Sequence, residues 1–463
     1  MIKALLKKIE DKKLNIGIIG LGYVGLPLAV EFAKAGFKVY GIDIDKTKVS
    51  KFNKGVNYIP DVDTALFKKL VANGRLKAYT SYSCLKDVHA ISICVPTPLI
   101  KTKEPDMSYI LDAANKLLKY LKPGKIIVLE STTYPGTTEE VILPLLGKRG
   151  FKVGKNIFLA FSPERVDPGN KKYKTKNTPK IVGGVTPNCL KVVKALYGKV
   201  INTVVPVSSS RSAEMVKLLE NTFRAVNIGL VNEIALMCDR LGIDVWEIIE
   251  AASTKPFGFM PFYPGPGLGG HCIPVDPHYL LWKLKTLDYK ARFIELADDI
   301  NTHMPHYIVT KISDTMNNLG KTIKNSTILI LGMAYKKDTD DVRESPAFAI
   351  IDLLLKKGAH VVCNDPFLNS NWKYTGRQVA ATKWSYRSGE QKKLCSKNRV
   401  LQVSNTLIRN TKLTIQLLKK AACTVICTNH SNYDYKSIVK NSKLVIDTRN
   451  ATKGIKSSKI VKL

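Results

Sequence analysis

Short apolar runs alternate along the chain with segments whose apolar positions recur every three or four residues, a strand-then-helix rhythm. Residues 14–19 read as a buried strand, residues 26–35 as a helix stopped by Gly36, and residues 37–42 as a second strand ending at Asp43. Further strand runs cover 90–95, 125–130 and 157–161. They end in Pro96-Thr97-Pro98, in Ser131-Thr132-Thr133 and in Ser162-Pro163-Glu164-Arg165. In a parallel sheet such strand ends line the ligand crevice. A long helical pattern runs over 212–241 to Gly242, and a shorter one covers 245–252. The rhythm then restarts, with strands at 326–332 and 359–365 around a helix at 347–356, and closing strands at 423–428 and 443–450. The class is α/β: two Rossmann-like doubly wound domains joined by a central helical domain with a long spine helix. The expected divisions are 1–205, 206–310 and 311–463.

Between the first strand and helix stands Gly20-Leu21-Gly22-Tyr23-Val24-Gly25. In that setting the glycines allow a tight turn and close approach of a pyrophosphate to a helix N-terminus. Asp43, 23 positions after Gly20, suits a ribose 2′-hydroxyl and repels a 2′-phosphate. No arginine follows in Ile44-Asp45-Lys46, so the expected cofactor is NAD rather than NADP. The second strand–helix–strand unit lacks this fingerprint, and its ligand need not be a dinucleotide.

A second glycine cluster, Gly265, Gly267, Gly269 and Gly270, leads into His271-Cys272. A cysteine on such a loop is accessible, and an accessible thiolate is a nucleophile. The plainer alternative is a surface turn with an incidental thiol. Lys217 and Asn221 lie four apart and share a helix face; alternatively Lys217 is a solvated lysine paired with Glu214 or Glu220. Asp276, before Pro277, could simply cap the next helix, and Thr132 and Glu164 could cap theirs. Cys94 reads as a buried small apolar residue.

Composition sets limits. The 463 residues are 45% apolar, and no window approaches the ~20 apolar residues of a membrane span, so no membrane partner is expected. Nine scattered cysteines without paired spacing argue against a disulfide framework or a metal site, and suit a reducing, cytoplasmic setting. The 72 basic and 38 acidic residues give a net charge of +34, but the basic residues are spread and no nucleic-acid motif stands out. The charge suits an anionic substrate; specific nucleic-acid binding is not expected.

With these residues in view, the chain resembles the UDP-glucose/GDP-mannose family of nucleotide-sugar dehydrogenases over 14–366 and again near 421–451. The resemblance rests on Gly20 to Gly25, Cys94-Val95-Pro96-Thr97-Pro98, residues 161–169, Lys217 with Asn221, Gly269-Gly270-His271-Cys272 and Asp340-Asp341-Val342-Arg343-Glu344-Ser345. It implies oxidation of the sugar's carbon 6 alcohol to a carboxylate with two NAD. Cys272 would be the nucleophile, Lys217 the oxyanion stabiliser, and Asn221 and Asp276 the groups that position water and the cysteine–lysine pair. Thr132 and Glu164 would orient water and handle protons. The resemblance further implies cofactor contacts from Gly20, Gly22, Tyr23, Val24, Gly25, Asp43, Pro96, Thr97, Thr132 and Arg343. Substrate contacts would come from Glu164, Arg165, Lys217, Asn221, Lys255, Gly269 and Gly270. A homodimer or higher homo-oligomer is implied, with NAD in the first domain and the substrate nucleotide in the last.

The loop sequence is more similar to UDP-N-acetylglucosamine 6-dehydrogenases than to glucose-type members, with UDP-N-acetylmannosamine dehydrogenases next. Two departures stand out. Glucose-type members carry a second glutamate where this chain has Pro168, which leaves the general acid unassigned. Residues 371–420 hold 12 basic residues and a single acidic one, Glu390, around Trp384, Tyr386 and Gly389, and match no family motif.

Overall fold

The structure is a computed structural model that describes residues 1–100, 102–167, 170, 172–369, 371–374 and 407–463. Pro168 and most of the basic segment, including Trp384, Tyr386, Gly389 and Glu390, lie outside the described residues. The chain forms two compact units, one of residues 1–222 with 275–290, the other of 223–274 with 291–463.

The first unit is built on eight strands: β1 Asn15–Ile19, β2 Lys38–Ile42, β3 Leu76–Tyr79, β4 Ala90–Ile93, β5 Ile126–Leu129, β6 Phe158–Phe161, β7 Lys180–Gly184 and β8 Val204–Val207. Their order is β3-β2-β1-β4-β5-β6-β7-β8. All neighbours are parallel except β6 and β7, which run antiparallel. Successive side chains of a strand point to opposite faces. Ile16, Ile18, Val39, Ile126 and Val128 pack into one core with Leu28 and Phe32. Ile19, Ile91, Ile93, Ile127 and Leu129 pack into another with Ile110 and Leu117. Burial on both faces is why these strands read as unbroken apolar runs.

The second unit carries β9 Thr327–Leu331, β10 His360–Asn364, a short antiparallel ribbon of β11 Lys373–Tyr374 and β12 Ile408–Arg409, then β13 Cys423–Ile426, β14 Val445–Asp447 and β15 Ile460–Lys462. The main sheet is parallel, in the order β10-β9-β13-β14-β15. Its faces sort the same way, Ile328 and Ile330 into one cluster, Leu329 and Leu331 into the other. Two Rossmann-like sheets with long intervening helices agree with the expected class. The helix Ser210–Leu241 is unbroken over 32 residues and stops at Gly242, where φ is +69. A second long helix, Arg292–Asn318, is not legible in the sequence, where Pro305 interrupts an otherwise helical stretch.

Candidate functional site

In an open α/β sheet ligands bind outside the carboxyl ends of the strands, where the strand order reverses. In the first unit that point lies between β1 and β4. Gly20, with φ of +93, leaves β1 there, and a Cβ on it would stand 2.4 Å from the Cys94 carbonyl oxygen that leaves β4. A Cβ on Gly25 would stand 1.8 Å from the Gly20 carbonyl oxygen, so the turn into the Gly25–Lys34 helix admits no side chain. Gly22 differs: its added Cβ would meet no described atom within 4 Å. Two glycines close the turn and the third keeps space open above it, the shape a pyrophosphate requires. Tyr23, beside it, is exposed, and Thr97 is buried.

Asp43 sits at the end of β2, 8% exposed. Its carboxylate accepts from the Leu21 N–H at 3.0 Å and the Asp45 N–H at 2.9 Å, with the Lys48 ammonium 3.5 Å away. It therefore holds the glycine loop in shape as well as facing the crevice. Lys48 is invisible to the ribose argument from sequence, yet it is the cation beside this carboxylate; burial lowers its pKa, with Asp43 opposing.

Beyond β5 the chain turns through Thr132, which is half-buried. Glu214, on the Ser210–Leu241 helix, clamps this turn. It is fully buried and accepts from the Gly136 N–H, the Thr138 N–H at 2.9 Å and the Thr138 hydroxyl at 2.6 Å. Burial pushes its carboxyl up to about 7 against those bonds. Glu220 pairs with Arg165 at 2.6 Å. Both acids once open as partners for Lys217 are thus engaged elsewhere. Asn221 Nδ2 donates to the Asp276 carboxylate, and Asp276 is 2% exposed. Burial pushes Asp276 up to about 6, opposed by Lys217 and then by Asn221. Lys217, Asn221 and Asp276 therefore form one electrostatic group. Asp276 opens the Asp276–Lys285 helix from inside, with Val275 at the cap position and no capping bond, so the capping alternative does not hold.

Glu164 accepts from the Arg165 and Val166 N–H groups, both at 2.8 Å, and its other oxygen lies 3.8 Å from the Lys180 ammonium. Lys180 in turn binds Glu130 at 2.8 Å, and the Tyr197 hydroxyl donates to Glu130. Sequence reasoning does not find this buried network. The available signal is a charge at the edge of an apolar run: Glu130 closes residues 125–130 and Lys180 opens Lys-Ile-Val-Gly-Gly. Burial, reinforced by Glu130, pushes the Cys94 thiol well above its usual range, in keeping with a packing role.

The second unit holds the other glycine loop. Gly265 donates its N–H to Asn232 Oδ1 at 2.9 Å, and Asn232 is held by Asn301 at 2.8 Å. A Cβ on Gly269 would come within 2.5 Å of Tyr335, and one on Gly270 within 2.7 Å of the Tyr335 ring. The Gly270 N–H donates to the Arg343 carbonyl at 2.9 Å. These contacts hold the backbone immediately before Cys272. Cys272 is exposed, Cys84 is half-buried, and the other described cysteines are buried. Burial, with the Arg343 charge adding to it, lowers the His271 imidazole to about 4, so His271 is neutral near pH 7. The Arg343 guanidinium pairs with Asp341 at 2.7 Å. Lys255 is exposed, its ammonium 5.2 Å from the centre of the Phe257 ring.

The second sheet reverses its order between β9 and β13. Gly332, with φ of +83, leaves β9 against Thr428, which follows β13. Asp365, at the end of β10, accepts from the Met333 N–H at 2.7 Å and the Ala334 N–H at 2.9 Å. His430 Nδ1 accepts from the Asp338 N–H at 2.9 Å, so its proton lies on Nε2, which donates to Asp365 at 3.1 Å. No group of acidic, histidine and cysteine side chains among the described residues could hold a metal ion. No described helix is long and apolar enough to cross a membrane.

Residues 14–201 match the NAD binding domain of the UDP-glucose/GDP-mannose dehydrogenase family, 211–303 its central domain and 329–454 its UDP binding domain. The chain is 35% identical over 361 residues to a UDP-N-acetyl-D-glucosamine 6-dehydrogenase of Pseudomonas aeruginosa, covering 78% of this chain and 84% of that one. It is 36% identical over 369 residues to a UDP-N-acetyl-D-mannosamine dehydrogenase of Methanococcus vannielii, covering 78% and 82%. Among solved structures, a UDP-D-ManNAc dehydrogenase from Pyrococcus horikoshii superposes with a TM-score of 0.83 at 30% identity, covering 97% of this chain and 99% of that one. With three domains matched in order and a dinucleotide crevice that fits its cofactor, the chain belongs to the UDP-glucose/GDP-mannose dehydrogenase family and is an NAD-dependent oxidoreductase.

Proposed function

We propose that the protein oxidises carbon 6 of a UDP-N-acetylhexosamine from alcohol to carboxylate, through a covalent intermediate on Cys272. The observation that carries this reading is Cys272 itself, an exposed thiol on a glycine loop held by Tyr335 and the Arg343 carbonyl. UDP-N-acetylmannosamine is favoured, because the Pyrococcus structure of that name is similar over nearly the whole chain. This reverses the order taken from the loop sequence alone. UDP-N-acetylglucosamine stays as a second reading on the strength of the Pseudomonas relative.

The cofactor, when bound, accepts one hydride at each of the two oxidations. Gly20, Gly22, Tyr23, Val24, Gly25 and Asp43 would hold it, with Pro96, Thr97, Thr132 and Arg343 as further contacts. The first oxidation leaves an aldehyde. The Cys272 thiolate adds to it, and the resulting thiohemiacetal gives up a hydride to become a thioester. Water then releases the uronic acid and frees the thiol. Lys217 supplies positive charge to the oxygen on which negative charge develops, a contribution worth roughly 3 kcal/mol in a dry site. Asn221 fixes Asp276, and Asp276, with its raised pKa, can exchange a proton near neutral pH. Thr132 and Glu164 would orient the hydrolytic water. Arg165, Lys255, Gly269 and Gly270 would contact the substrate. We further assign the protein to the cytoplasm, as a homodimer or higher homo-oligomer that supplies a uronic acid precursor for surface polysaccharide.

The test is to incubate purified protein with NAD and each UDP-sugar while following reduced nicotinamide. Two NADH per UDP-N-acetylmannosamine, with Cys272→Ser slowed in the second oxidation, is the expected result. Turnover of the gluco epimer alone would overturn the substrate choice. A folded, NAD-binding protein silent with every nucleotide sugar would sink the enzymatic reading.

A further inference from the structure

We propose that Lys180 is a positioning residue for the Glu164 carboxylate, a cation built into the edge of the sheet to hold that group in place at the strand ends. The inference rests on Glu164 being a site residue, as read above.

The topology produces the pair. β7 runs antiparallel to β6, with Ala160 opposite Gly184 and Phe161 opposite Gly183. The same register carried beyond the strand ends brings Glu164 opposite Lys180. A parallel β7 would have sent its first residue to the other end of the sheet. Lys180 is 5% exposed, and its ammonium lies 2.8 Å from Glu130 Oε2, 3.8 Å from Glu164 Oε2 and 3.4 Å from the Pro163 carbonyl oxygen. It also lies 5.2 Å from the centre of the Tyr197 ring.

Charge decides what this arrangement does. An unpaired buried ammonium is strongly disfavoured, so Lys180 needs Glu130 to remain charged. Burial lowers the Lys180 pKa, but Glu130 and then Glu164 outweigh it and leave it raised. Glu130 is fixed from the far side by Tyr197, whose hydroxyl also lies 3.2 Å from the Ser92 hydroxyl. Every group facing Lys180 is then accounted for: Glu130 after β5, Glu164 after β6, Tyr197 from the Pro187–Tyr197 helix, and the neutral Cys94 thiol after β4. Glu130 anchors the cation, and what remains of its field falls on Glu164. The other Glu164 oxygen is tied to two backbone N–H groups, so the carboxylate is gripped on both sides. Glu164, Arg165, Thr175, Thr178 and Lys180 line a small cleft, so the gripped group borders open space.

Lys180→Met alone would strand the Glu130 charge and endanger folding. The decisive variant is Lys180→Met with Glu130→Gln, which removes both charges at nearly constant volume, with Lys180→Arg as the conservative control. Two readouts are taken on the full chain: the pH profile of NADH production from UDP-N-acetylmannosamine, and the titration of the Glu164 carboxyl by 13C NMR of glutamate-labelled protein. The Glu164 signal is identified by its loss in Glu164→Gln. Removal of the cation is expected to move the Glu164 midpoint and the acid limb of activity upward by about one pH unit. Activity near that limb then falls about tenfold and recovers at higher pH, while Lys180→Arg stays close to the parent. An unmoved Glu164 midpoint in the folded double variant overturns the proposal. A moved midpoint with an unmoved activity limb supports the positioning contact and overturns the catalytic reading of Glu164.

Discussion

The two sheets use one device with opposite electrostatic settings. In each, a positive-φ glycine leaves the first strand and packs on the chain leaving the strand across the switch point, Gly20 on Cys94 and Gly332 on Thr428. In each, an aspartate at the end of the neighbouring strand accepts N–H groups from the glycine loop, Asp43 in one and Asp365 in the other. The first loop then enters its helix at Gly25, whereas the second runs on to Pro346 through lysines, aspartates and Arg343. The buried carboxylates differ as well. Burial raises Asp276 and Glu214 in the first unit. In the second, burial pushes Asp365 upward, but the His430 bond and backbone N–H groups outweigh it and the carboxyl falls below its usual range. A short loop at the first switch point suits the cofactor's pyrophosphate; a long polar loop leaves room for a different phosphate ligand at the second.

The sharpest break in this comparison comes from the glycines. Gly25→Ala forces a Cβ into backbone and should weaken NAD binding at least ~100-fold, roughly 3 kcal/mol, while leaving UDP binding intact. Gly332→Ala should do the reverse, and calorimetric titration of each variant with NAD and with UDP separates the cases. Next is Asp365→Asn, which breaks a buried carboxylate's bonds to His430 and two N–H groups and should cost about 3 kcal/mol at pH 7 by denaturant unfolding. The lowered Asp365 makes its contribution above the unfolded value near 3.8, and that contribution is lost as pH falls through the folded value.

Asp276 runs the other way. Its folded pKa of about 6 exceeds the unfolded 3.8, so the folded state is penalised progressively as pH rises between those values and fully above them. Asp276→Asn should therefore gain roughly 2 kcal/mol of stability at pH 8, little at pH 4, and lose activity at both. An equal effect at the two pH values would remove the electrostatic contrast between the units. The smallest effect is expected from Arg343→Gln. Its pair with Asp341 is solvent-exposed and should change stability by less than about 0.5 kcal/mol, whatever it does to turnover.

Local features were legible in the sequence and distant partnerships were not. Residues 14–43 read correctly because apolar runs, glycines and a terminal aspartate are all local signals. The helix Val245–Ala252 was equally plain, with Asp244 capping it through the Trp246 N–H. The long-range polar contacts left no such trace. Glu130 meets Lys180 across 50 positions, Asp365 meets His430 across 65, and Glu214 meets Thr138 across 76. Nothing in a periodicity argument pairs residues so far apart. Asp276 looked like a cap because aspartate before proline commonly is one; only the packing around it turns its carboxylate toward Asn221.

Gly22 offers a practical return on this geometry. The fold leaves empty the space that its side chain would fill, so Gly22→Val alters occupancy of the crevice and little else. Such a protein would purify free of carried-over cofactor and keep its uridine-nucleotide half in working order. It would serve as the blank in every assay that counts reduced nicotinamide.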